Sequence, residues 1–407
     1  MMSPPDGELS EILEAVEAAS PVEAVDAVTA KLAVALEADR GAFLIADLAG
    51  RALVRLGHGE GGAATARRLG EESAEVLPLT ESLIGDVVSE QRPLIAPVAG
   101  GWRILAPVTQ RGEVIGVLEV VLARQPEHDA VELVRRAAHV LAFVVIANRR
   151  HTDLFEWGQR TTDFELSAEI QRRLLPGAFT CEAGAFTVSA WLEPAASIGG
   201  DTFDYSLERD VLHLSVTDAM GHGVSSALLA TLCVGSLRNS RRAGASLTEQ
   251  AAAADAAMAA NAQGSFVTGL LGRVDLQTGV LQLVNAGHVL PLLVRGGDIT
   301  EVALPVDLPF GLNGERGYRH TELPLEPGDR FVIVTDGMLE RGAVELPLAE
   351  LLDQTRGRHP REATRRLADA VIEIAGPRLA DDATILVIDW HGGHGRDRDS
   401  RAGADRQ

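Results

Sequence analysis

The sequence has 407 residues, of which 46% are hydrophobic and 23% are charged, and its formal net charge at pH 7 is −21. A chain of this length is too long for one ordinary hydrophobic core, so we expect two domains of about 150 to 200 residues each. The acidic balance disfavours binding to nucleic acid and to anionic membrane surfaces, because it provides no basic excess that could release counterions.

The cysteine content and the N-terminus both favour a cytoplasmic protein. Cys181 and Cys233 are too few for a disulfide framework and too widely spaced for a zinc knuckle, so a reducing compartment fits them best. Residues 1–20 lack the charged start and apolar run of a signal peptide, and no apolar stretch approaches the ~20 residues of a membrane span. We therefore predict a soluble cytoplasmic chain with two buried thiols.

The first third of the chain alternates between helical and strand-like patterns. Residues 11–38 place small apolar residues at helical spacing, interrupted at Ser20-Pro21, which predicts two short helices. Several elements follow in order. They are strands at Gly41–Asp47 and Ala52–Leu56, a Gly/Ala-rich loop at 59–66, a helix ending before Pro93, a hairpin over 102–123 that turns at Gln110–Gly112, and a helix over 129–150.

This order of elements resembles a GAF domain, a small α/β sensor fold, over about residues 21–150. The sharpest pieces of the resemblance are Ser82-Leu83-Ile84-Gly85 and Ile115-Gly116-Val117-Leu118. Both cysteines lie outside this region, which disfavours a thioether-linked bilin, and the region lacks the pattern of cyclic-nucleotide-binding members. The resemblance implies a sensor whose input is an unknown small molecule or protein.

A helical linker is predicted at residues 151–177, before a second domain. From Val134 to Ala168, apolar or small residues recur at spacings near three and four, as on one long helix with a dimerising seam. The alternative is a pair of ordinary helices that pack on their own domains. The helical pattern stops at Leu174-Leu175-Pro176-Gly177, and residues 391–407 have a composition typical of a disordered tail.

Four blocks with aspartates stand where β-rich runs meet small, turn-forming residues. They are Gly199–Asp204, Val216–Gly223, Val334–Gly337 and Asp381–Thr384. An aspartate beside a buried strand is costly to desolvate unless a positive charge accompanies it, so a bound cation is the natural partner. Oxygen ligands without convergent His or Cys select Mg²⁺ or Mn²⁺, and two such ions can share a carboxylate and activate a water molecule.

The blocks are also similar, in order and spacing, to the protein phosphatase 2C (PPM) superfamily, in its stage II sporulation protein E branch of sigma-factor-regulating phosphatases. The resemblance spans about residues 165–390, and we assign the domain itself to 178–390. Further matching pieces are Gln171–Pro176, Asn285–His288 and Pro309–Gly311. The implied fold is an α-β-β-α sandwich, so the whole chain is expected to be of the α/β (α+β) class.

The resemblance implies a site that holds two Mn²⁺ or Mg²⁺ ions. Asp218 would bridge the ions, with the Ala219 backbone carbonyl as a further ligand. Asp201 would hold one ion, directly or through water, while Asp336 and Asp381 would complete the other. Asp382, the second acid of its pair, is expected to orient its neighbours rather than to bind metal.

Three other polar residues of these blocks are assigned supporting roles. Asp204 is expected to support the first block through hydrogen bonds. His222 lies two residues later than the histidine of the eukaryotic Asp-Gly-His motif, so we assign it to structural packing rather than to general acid catalysis. His288 is expected to brace the site through hydrogen bonds.

The resulting hypothesis is a metal-dependent serine/threonine phosphoprotein phosphatase. Its implied substrate is a phosphorylated anti-sigma-factor antagonist in a partner-switching pathway, under control of the N-terminal sensor, in a homodimer. One alternative is a catalytically silent pseudophosphatase that binds a partner. Another is a carboxylate-based nuclease, which the acidic composition disfavours.

Overall fold

The computed structural model describes residues 5–58, 66–162, 164–193, 199–261, 264–339, 347–375, 381–392, 400–401 and 404–405. The chain divides into two units, residues 1–163 with 399–406 and residues 164–398 with Gln407. The predicted loop at 59–66, apart from its last residue, and most of the predicted disordered tail lie outside the described residues. Within that tail, Ser400–Arg401 pairs with Ala404–Asp405 as two short strands.

The N-terminal unit contains an antiparallel sheet. In the described residues its strands are β1 (Arg40–Ala46), β2 (Ala52–His58), β3 (Arg67–Leu69), β4 (Glu72–Pro78), β5 (Leu94–Val98), β6 (Gly101–Gln110) and β7 (Glu113–Leu122). The strand order is β3-β4-β2-β1-β7-β6-β5. The helices are α1 (Pro5–Ala18), α2 (Ala24–Ala35), α3 (Leu83–Glu90), α4 (His128–Asn148) and α5 (Leu154–Gln159).

Alternation of side chains along these strands gives the sheet two different faces. One face packs against α1, α2, α4 and α5 around a core that includes Ile45, Val54 and Leu118. The opposite face carries Leu44 and Leu53, which pack with α3. A sheet with helices on both faces needs apolar residues at successive positions, and this explains the nearly continuous apolar runs of β6 and β7.

The predicted helix pair, the first two strands, the helix at α3, the hairpin and the helix at α4 are confirmed. Strands β3, β4 and β5 were not predicted. The continuous helix from Val134 to Ala168 is wrong, because α4, α5 and the first helix of the second unit are separated by non-helical residues. The alternative of ordinary helices fits better, since α5 packs on β1 and β2 of its own unit.

The C-terminal unit contains two sheets, five α-helices and two short 3-10 helices, Gly314–Arg316 and Asp336–Met338, in its described residues. The helices are α6 (Leu166–Leu174), α7 (Val224–Arg242), α8 (Leu247–Asn261), α9 (Leu348–Gln354) and α10 (Pro360–Ala375). The strands are β8 (Thr180–Glu182), β9 (Phe186–Glu193), β10 (Asp201–Leu207), β11 (Val211–Ala219), β12 (Val267–Asp275), β13 (Val280–Ala286), β14 (Leu292–Arg295), β15 (Asp298–Glu301), β16 (Val306–Asp307), β17 (His320–Pro324), β18 (Arg330–Val334) and β19 (Ala383–Trp390).

These elements form four layers. One sheet has the order β10-β11-β12-β13-β16 with β17 beside β13, and the other has the order β15-β14-β18-β19-β9-β8. The core between the sheets includes Phe203, Phe331 and Leu386. Helices α7 and α8 cover the first sheet, and α9 and α10 cover the second. The predicted α-β-β-α sandwich is therefore confirmed.

None of the helices in the described part of the chain has the length and apolar character required to span a bilayer.

Candidate active site

Two of the predicted aspartates stand opposite each other at one end of the first sheet. Asp201 begins β10 and Asp218 lies one residue before the end of β11, and the antiparallel register pairs them directly. Directly opposed residues on antiparallel strands share a face of the sheet. Asp201 is buried and Asp218 is half-buried. The fold thus places two acids side by side.

Hydrogen bonds from the second sheet fix the Asp201 side chain. The hydroxyl groups of Thr335, just after β18, and Thr384, in β19, each donate to Asp201 Oδ2 at 2.7 Å. The Thr384 amide in turn donates to Thr335 Oγ1 at 3.0 Å. Because both threonines are fully buried, these bonds connect the ends of the two sheets through one carboxylate.

Asp382 acts as an acceptor that organises its surroundings. Its Oδ2 accepts hydrogen bonds from Gln171 Nε2 at 2.6 Å, from the Gly200 amide at 3.1 Å and from the Asp201 amide at 3.3 Å. Gln171, in α6, also donates to the Asp201 carbonyl oxygen at 2.8 Å. The adjacent Asp381 is exposed, and its Oδ1 accepts from the Asp382 amide at 2.8 Å.

Electrostatic coupling shows that the blocks converge. Burial, followed by the charges of Asp336, Asp381 and Asp382, raises the pKa of Asp218 to about 7. Burial and the charges of Asp218 and Asp382 raise the pKa of Asp201 well above its usual range. Like charges have this effect only when they are near each other. All four blocks therefore meet at the same end of the sandwich.

The donor set fits divalent cations. The crowded groups are carboxylates, which hard ions such as Mg²⁺ and Mn²⁺ prefer. A cation would offset their mutual repulsion, which adds to the effect of burial on the pKa of Asp201 and Asp218. Within the ranges that the structure describes, no three His, Cys, Asp or Glu side chains are arranged as a closed metal-binding group. The acids are thus near enough to interact but do not form a coordination shell.

Two glycines permit the close approach of the blocks. A Cβ atom added to Gly200 would lie 2.6 Å from the Ala219 carbonyl oxygen, and one added to Gly337 would collide with the Asp382 carbonyl oxygen. The Ala219 amide donates to the Gly200 carbonyl at 3.2 Å. The Asp336-Gly337 turn can therefore reach Asp382 only because residue 337 has no side chain.

The structure places two of the supporting residues differently from expectation. Asp204 accepts hydrogen bonds from Arg238 and Arg241 of α7 at 2.9 to 3.1 Å. It lies three positions after Asp201, so strand alternation puts it on the opposite face of β10. His222 is exposed, because it lies in the surface turn between β11 and α7. Its assignment to structural packing is therefore wrong.

His288 is buried and neutral beside the site. Burial lowers the pKa of His288 to about 4. Its amide donates to Asn285 Oδ1 at 2.7 Å, and the Asn285 amide nitrogen donates to the His288 carbonyl at 2.9 Å. Its Nδ1 lies 3.2 Å from Thr268 Oγ1, and Thr268 pairs with Asp218 in the sheet register.

No role was predicted for Gln171, Thr335 and Thr384, although each belongs to one of the sequence blocks or motifs described above. Their position in the sequence could have indicated a role. Thr335 precedes Asp336, Thr384 follows Asp381-Asp382, and Gln171 opens the motif before the domain. A hydroxyl or amide next to a buried acid is a candidate hydrogen-bond donor to that acid.

Comparison with known proteins assigns both units. Residues 208–391 match the model of the stage II sporulation protein E (SpoIIE) family, and residues 20–145 match that of the GAF domain. The chain combines a GAF domain with a PP2C-type SpoIIE domain. The matched SpoIIE range contains Asp218, Asp336, Asp381 and Asp382. Gln171 and Asp201 lie before it.

Individual relatives are more distant. The chain is 22% identical to the phosphoserine phosphatase RsbU of Bacillus subtilis over 234 residues, which cover 56% of this chain and 70% of that protein. The RsbU and RsbW domains of a Mycobacterium tuberculosis protein are 26% identical, with a TM-score of 0.46, over 54% of this chain and 62% of that one.

A third relative is the catalytic domain of the serine/threonine phosphatase PstP, solved with two manganese ions. It is 19% identical, with a TM-score of 0.39, over 50% of this chain and 97% of that one. The chain spans less than two thirds of the RsbU–RsbW structure. Because the identities and TM-scores of these individual proteins are low, the assignment of the SpoIIE domain rests on the match to the family model and on the observed sandwich fold.

Proposed function

We propose that the SpoIIE domain is a metal-dependent serine/threonine phosphoprotein phosphatase. The observation that carries the proposal is the convergence of Asp201, Asp218, Asp336 and Asp381 at one end of the sandwich, where burial and the neighbouring carboxylates raise the pKa of Asp201 and Asp218. A cluster of carboxylates with perturbed pKa values is a recognised mark of a functional site. The homology to a phosphoserine phosphatase supports the same activity.

Four of the aspartates would bind metal ions, and a fifth would orient the residues around them. Asp218 would contact both of two Mn²⁺ or Mg²⁺ ions, with Asp201 on one side and with Asp336 and Asp381 on the other. The Ala219 carbonyl would add a further oxygen ligand. Asp382 accepts hydrogen bonds from Gln171, from the Gly200 amide and from the Asp201 amide, and these bonds keep the start of β10 in place. When bound, such ions supply an activated water molecule and neutralise charge on the phosphoryl oxygens.

The chain's own residues supply the preorganisation. Thr335 and Thr384 hold one oxygen of Asp201 in place, so this acid needs no reorganisation when substrate arrives. Among the residues that the structure describes, Asp336 and Asp381 are exposed, so that side of the cluster would be open to a protein substrate. A phosphorylated side chain on a protein surface can reach such an open site without entering a deep cavity.

We propose a phosphorylated anti-sigma-factor antagonist as the substrate, by analogy with the RsbU relative. The GAF domain would control the activity in response to a small molecule or a protein. The protein would act as a cytoplasmic homodimer, and analytical ultracentrifugation of the full chain tests the oligomeric state.

Phosphate release from a phosphoserine-bearing antagonist, with Mn²⁺ or with a chelator, tests the activity. We expect Mn²⁺-dependent release that falls by about 100-fold or more in Asp218→Asn, because loss of metal-assisted stabilisation costs several kcal/mol. The exposed Asp298 of β15 provides a matched control, Asp298→Asn, which should retain activity. Binding of the antagonist without any phosphate release would instead identify a pseudophosphatase.

A further inference from the structure

The GAF domain carries a group of arginines that has no part in the proposed phosphatase chemistry. Arg40 of β1, Arg55 of β2 and Arg103 of β6 surround the Glu119 carboxylate of β7. The distances from guanidinium nitrogen to Glu119 oxygen are 3.7 Å for Arg40, 2.9 Å for Arg55 and 3.5 Å for Arg103. We call these three residues the arginine cluster.

Strand alternation places the arginine cluster on the same sheet face as α3. Leu44, Leu53, Leu105 and Val117 of this face pack against α3. Each cluster member, and Glu119 with them, is two or four positions along its strand from one of those residues, so all of them share that face. Arg40 and Arg103 both pair with Val121 in the register, one from each neighbouring strand.

The face is therefore divided into an apolar part and a cationic part. Helix α3 covers the apolar part. In the cationic part, the ion pairs of the described residues join three guanidinium groups to two carboxylates, since Arg55 also bonds to Glu75 at 2.8 Å. An excess of positive charge is unusual in a chain whose formal net charge is −21.

The cluster is partly shielded from solvent but remains accessible. The side chain of Glu119 is 2% exposed, whereas those of Arg55 and Arg103 are 27% and 24% exposed and that of Arg40 is 62% exposed. A charge that lies near a half-buried guanidinium is screened less than a charge at an open surface. An incoming anion would therefore meet an attractive, incompletely solvated surface.

Two donors of the arginine cluster take no part in the pairing with Glu119. The Nε atoms of Arg55 and Arg103 are buried and have no hydrogen-bond acceptor among the residues that the structure describes. Buried donors without an acceptor are rare in folded proteins, so these two atoms are candidate donors to a bound anion. Guanidinium groups match the geometry of carboxylate and phosphate groups through paired N–H donors.

We propose that the arginine cluster is a binding site for a small anion with a carboxylate or phosphate group, and that Glu119 holds the three arginines in place for it. Glu119 positions the guanidinium groups in the free protein. The anion would then accept hydrogen bonds from guanidinium N–H groups that Glu119 does not occupy, on the accessible parts of the three side chains. This assigns a chemical class to the input of the GAF domain, and it does not depend on the proposed phosphatase activity.

Isothermal titration of the full chain, without divalent ions, tests the proposal. Sodium phosphate and sodium succinate serve as probes against sodium chloride at equal ionic strength, and the probe that binds identifies the ligand group. We expect saturable binding of at least one probe that weakens about 10-fold or more in Arg103→Met and in Arg40→Met. Arg92→Met, a change at an exposed arginine of the same domain, should leave it unchanged.

Glu119→Gln separates a ligand site from a purely structural ion-pair group. The glutamine keeps the length and a hydrogen-bond acceptor of Glu119, so the arginines stay in place, but the competing negative charge is lost and anion binding should tighten about 3-fold or more. No saturable binding of either probe at millimolar concentration would overturn the proposal, and so would equal affinities in the wild type and both arginine variants. Should Arg103→Met fail to fold, the exposed Arg40→Met alone decides, with circular dichroism as the folding control.

Discussion

At the residue scale, Gln171 is the side chain that ties the helix before the sandwich to the carboxylate cluster. Its amide group donates both to Asp382 Oδ2 and to the Asp201 carbonyl, and the side chain is buried. Two acids therefore depend on one neutral donor for their relative position. Groups of this kind orient metal-binding side chains without touching the metal.

Gln171→Met should weaken Mn²⁺ binding and phosphatase activity by about 10- to 100-fold, because the change preserves length but removes both donors. Steady-state phosphate release as a function of Mn²⁺ concentration measures both effects. Gln277→Met, at an exposed position, is the matched control. Equal metal dependence in the two variants would show that Gln171 has no orienting role.

His288 predicts a pH dependence of stability. Burial lowers the pKa of His288 in the folded state to about 4, against about 6.5 for an unfolded chain. Between these values the unfolded chain takes up a proton that the folded chain does not, so the free energy of unfolding falls as the pH falls.

His288→Gln should therefore lose less stability than the wild type between pH 7 and pH 5. The expected difference is about 2 kcal/mol, at ~1.4 kcal/mol per pH unit below the unfolded pKa. Urea unfolding at the two pH values measures it. His222→Gln, at an exposed histidine, should follow the wild type, and a His288 variant that also followed it would contradict the assignment of a buried neutral imidazole.

At the element scale, the site depends on how closely the turn after β18 approaches the start of β19. Gly337 is the residue in contact, because a Cβ at this position would collide with the Asp382 carbonyl oxygen. The contacted atom belongs to the backbone and cannot rotate away. The turn or the strand would have to move, and Asp336 or Asp382 would move with it.

Gly337→Ala should lower the free energy of unfolding by about 1 to 3 kcal/mol, the usual cost of overpacking, and should also abolish Mn²⁺-dependent activity. Chemical denaturation and phosphate release measure the two effects. Gly235→Ala in α7 is the control, since its Cβ would meet no atom within 4 Å. Full activity in Gly337→Ala would mean that the turn does not position Asp336.

The elements that could be predicted are those with a strong local signal. The β6–β7 hairpin has long β-rich strands and a Gly-containing turn, and α4 has 21 residues with regular apolar spacing. Strands β3 and β5 have three and five residues, and segments this short carry too little periodicity to be recognised. The proposed seam after α4 failed because apolar spacing continued across breaks in the helix.

The candidate site was predictable in its acids but not in their connections. An aspartate at the end of a buried strand is visible in one segment, as at Asp336. The hydrogen bonds of Thr335 and Thr384 to Asp201 join residues 134 and 183 positions apart. Such contacts follow from the way the two sheets pack, which no local pattern specifies.

At the scale of the whole molecule, the carboxylate cluster and its hydrogen-bond donors come from residues between Gln171 and Thr384. The cluster forms only when both sheets and α6 have assembled. A site of this kind should be lost in the same cooperative transition that unfolds the sandwich. The GAF domain, with its arginine cluster, forms a separate unit. Metal binding by the carboxylate cluster and anion binding by the arginine cluster can therefore be tested independently of each other.

The central claim is that Asp201, Asp218, Asp336 and Asp381 together bind divalent ions, and calorimetric titration of the full chain with Mn²⁺ tests it most directly. We expect saturable binding that weakens about 10-fold or more in Asp218→Asn and in Asp336→Asn, with Asp298→Asn unchanged. Mn²⁺ binding of equal strength in all of these variants and the wild type would contradict the claim.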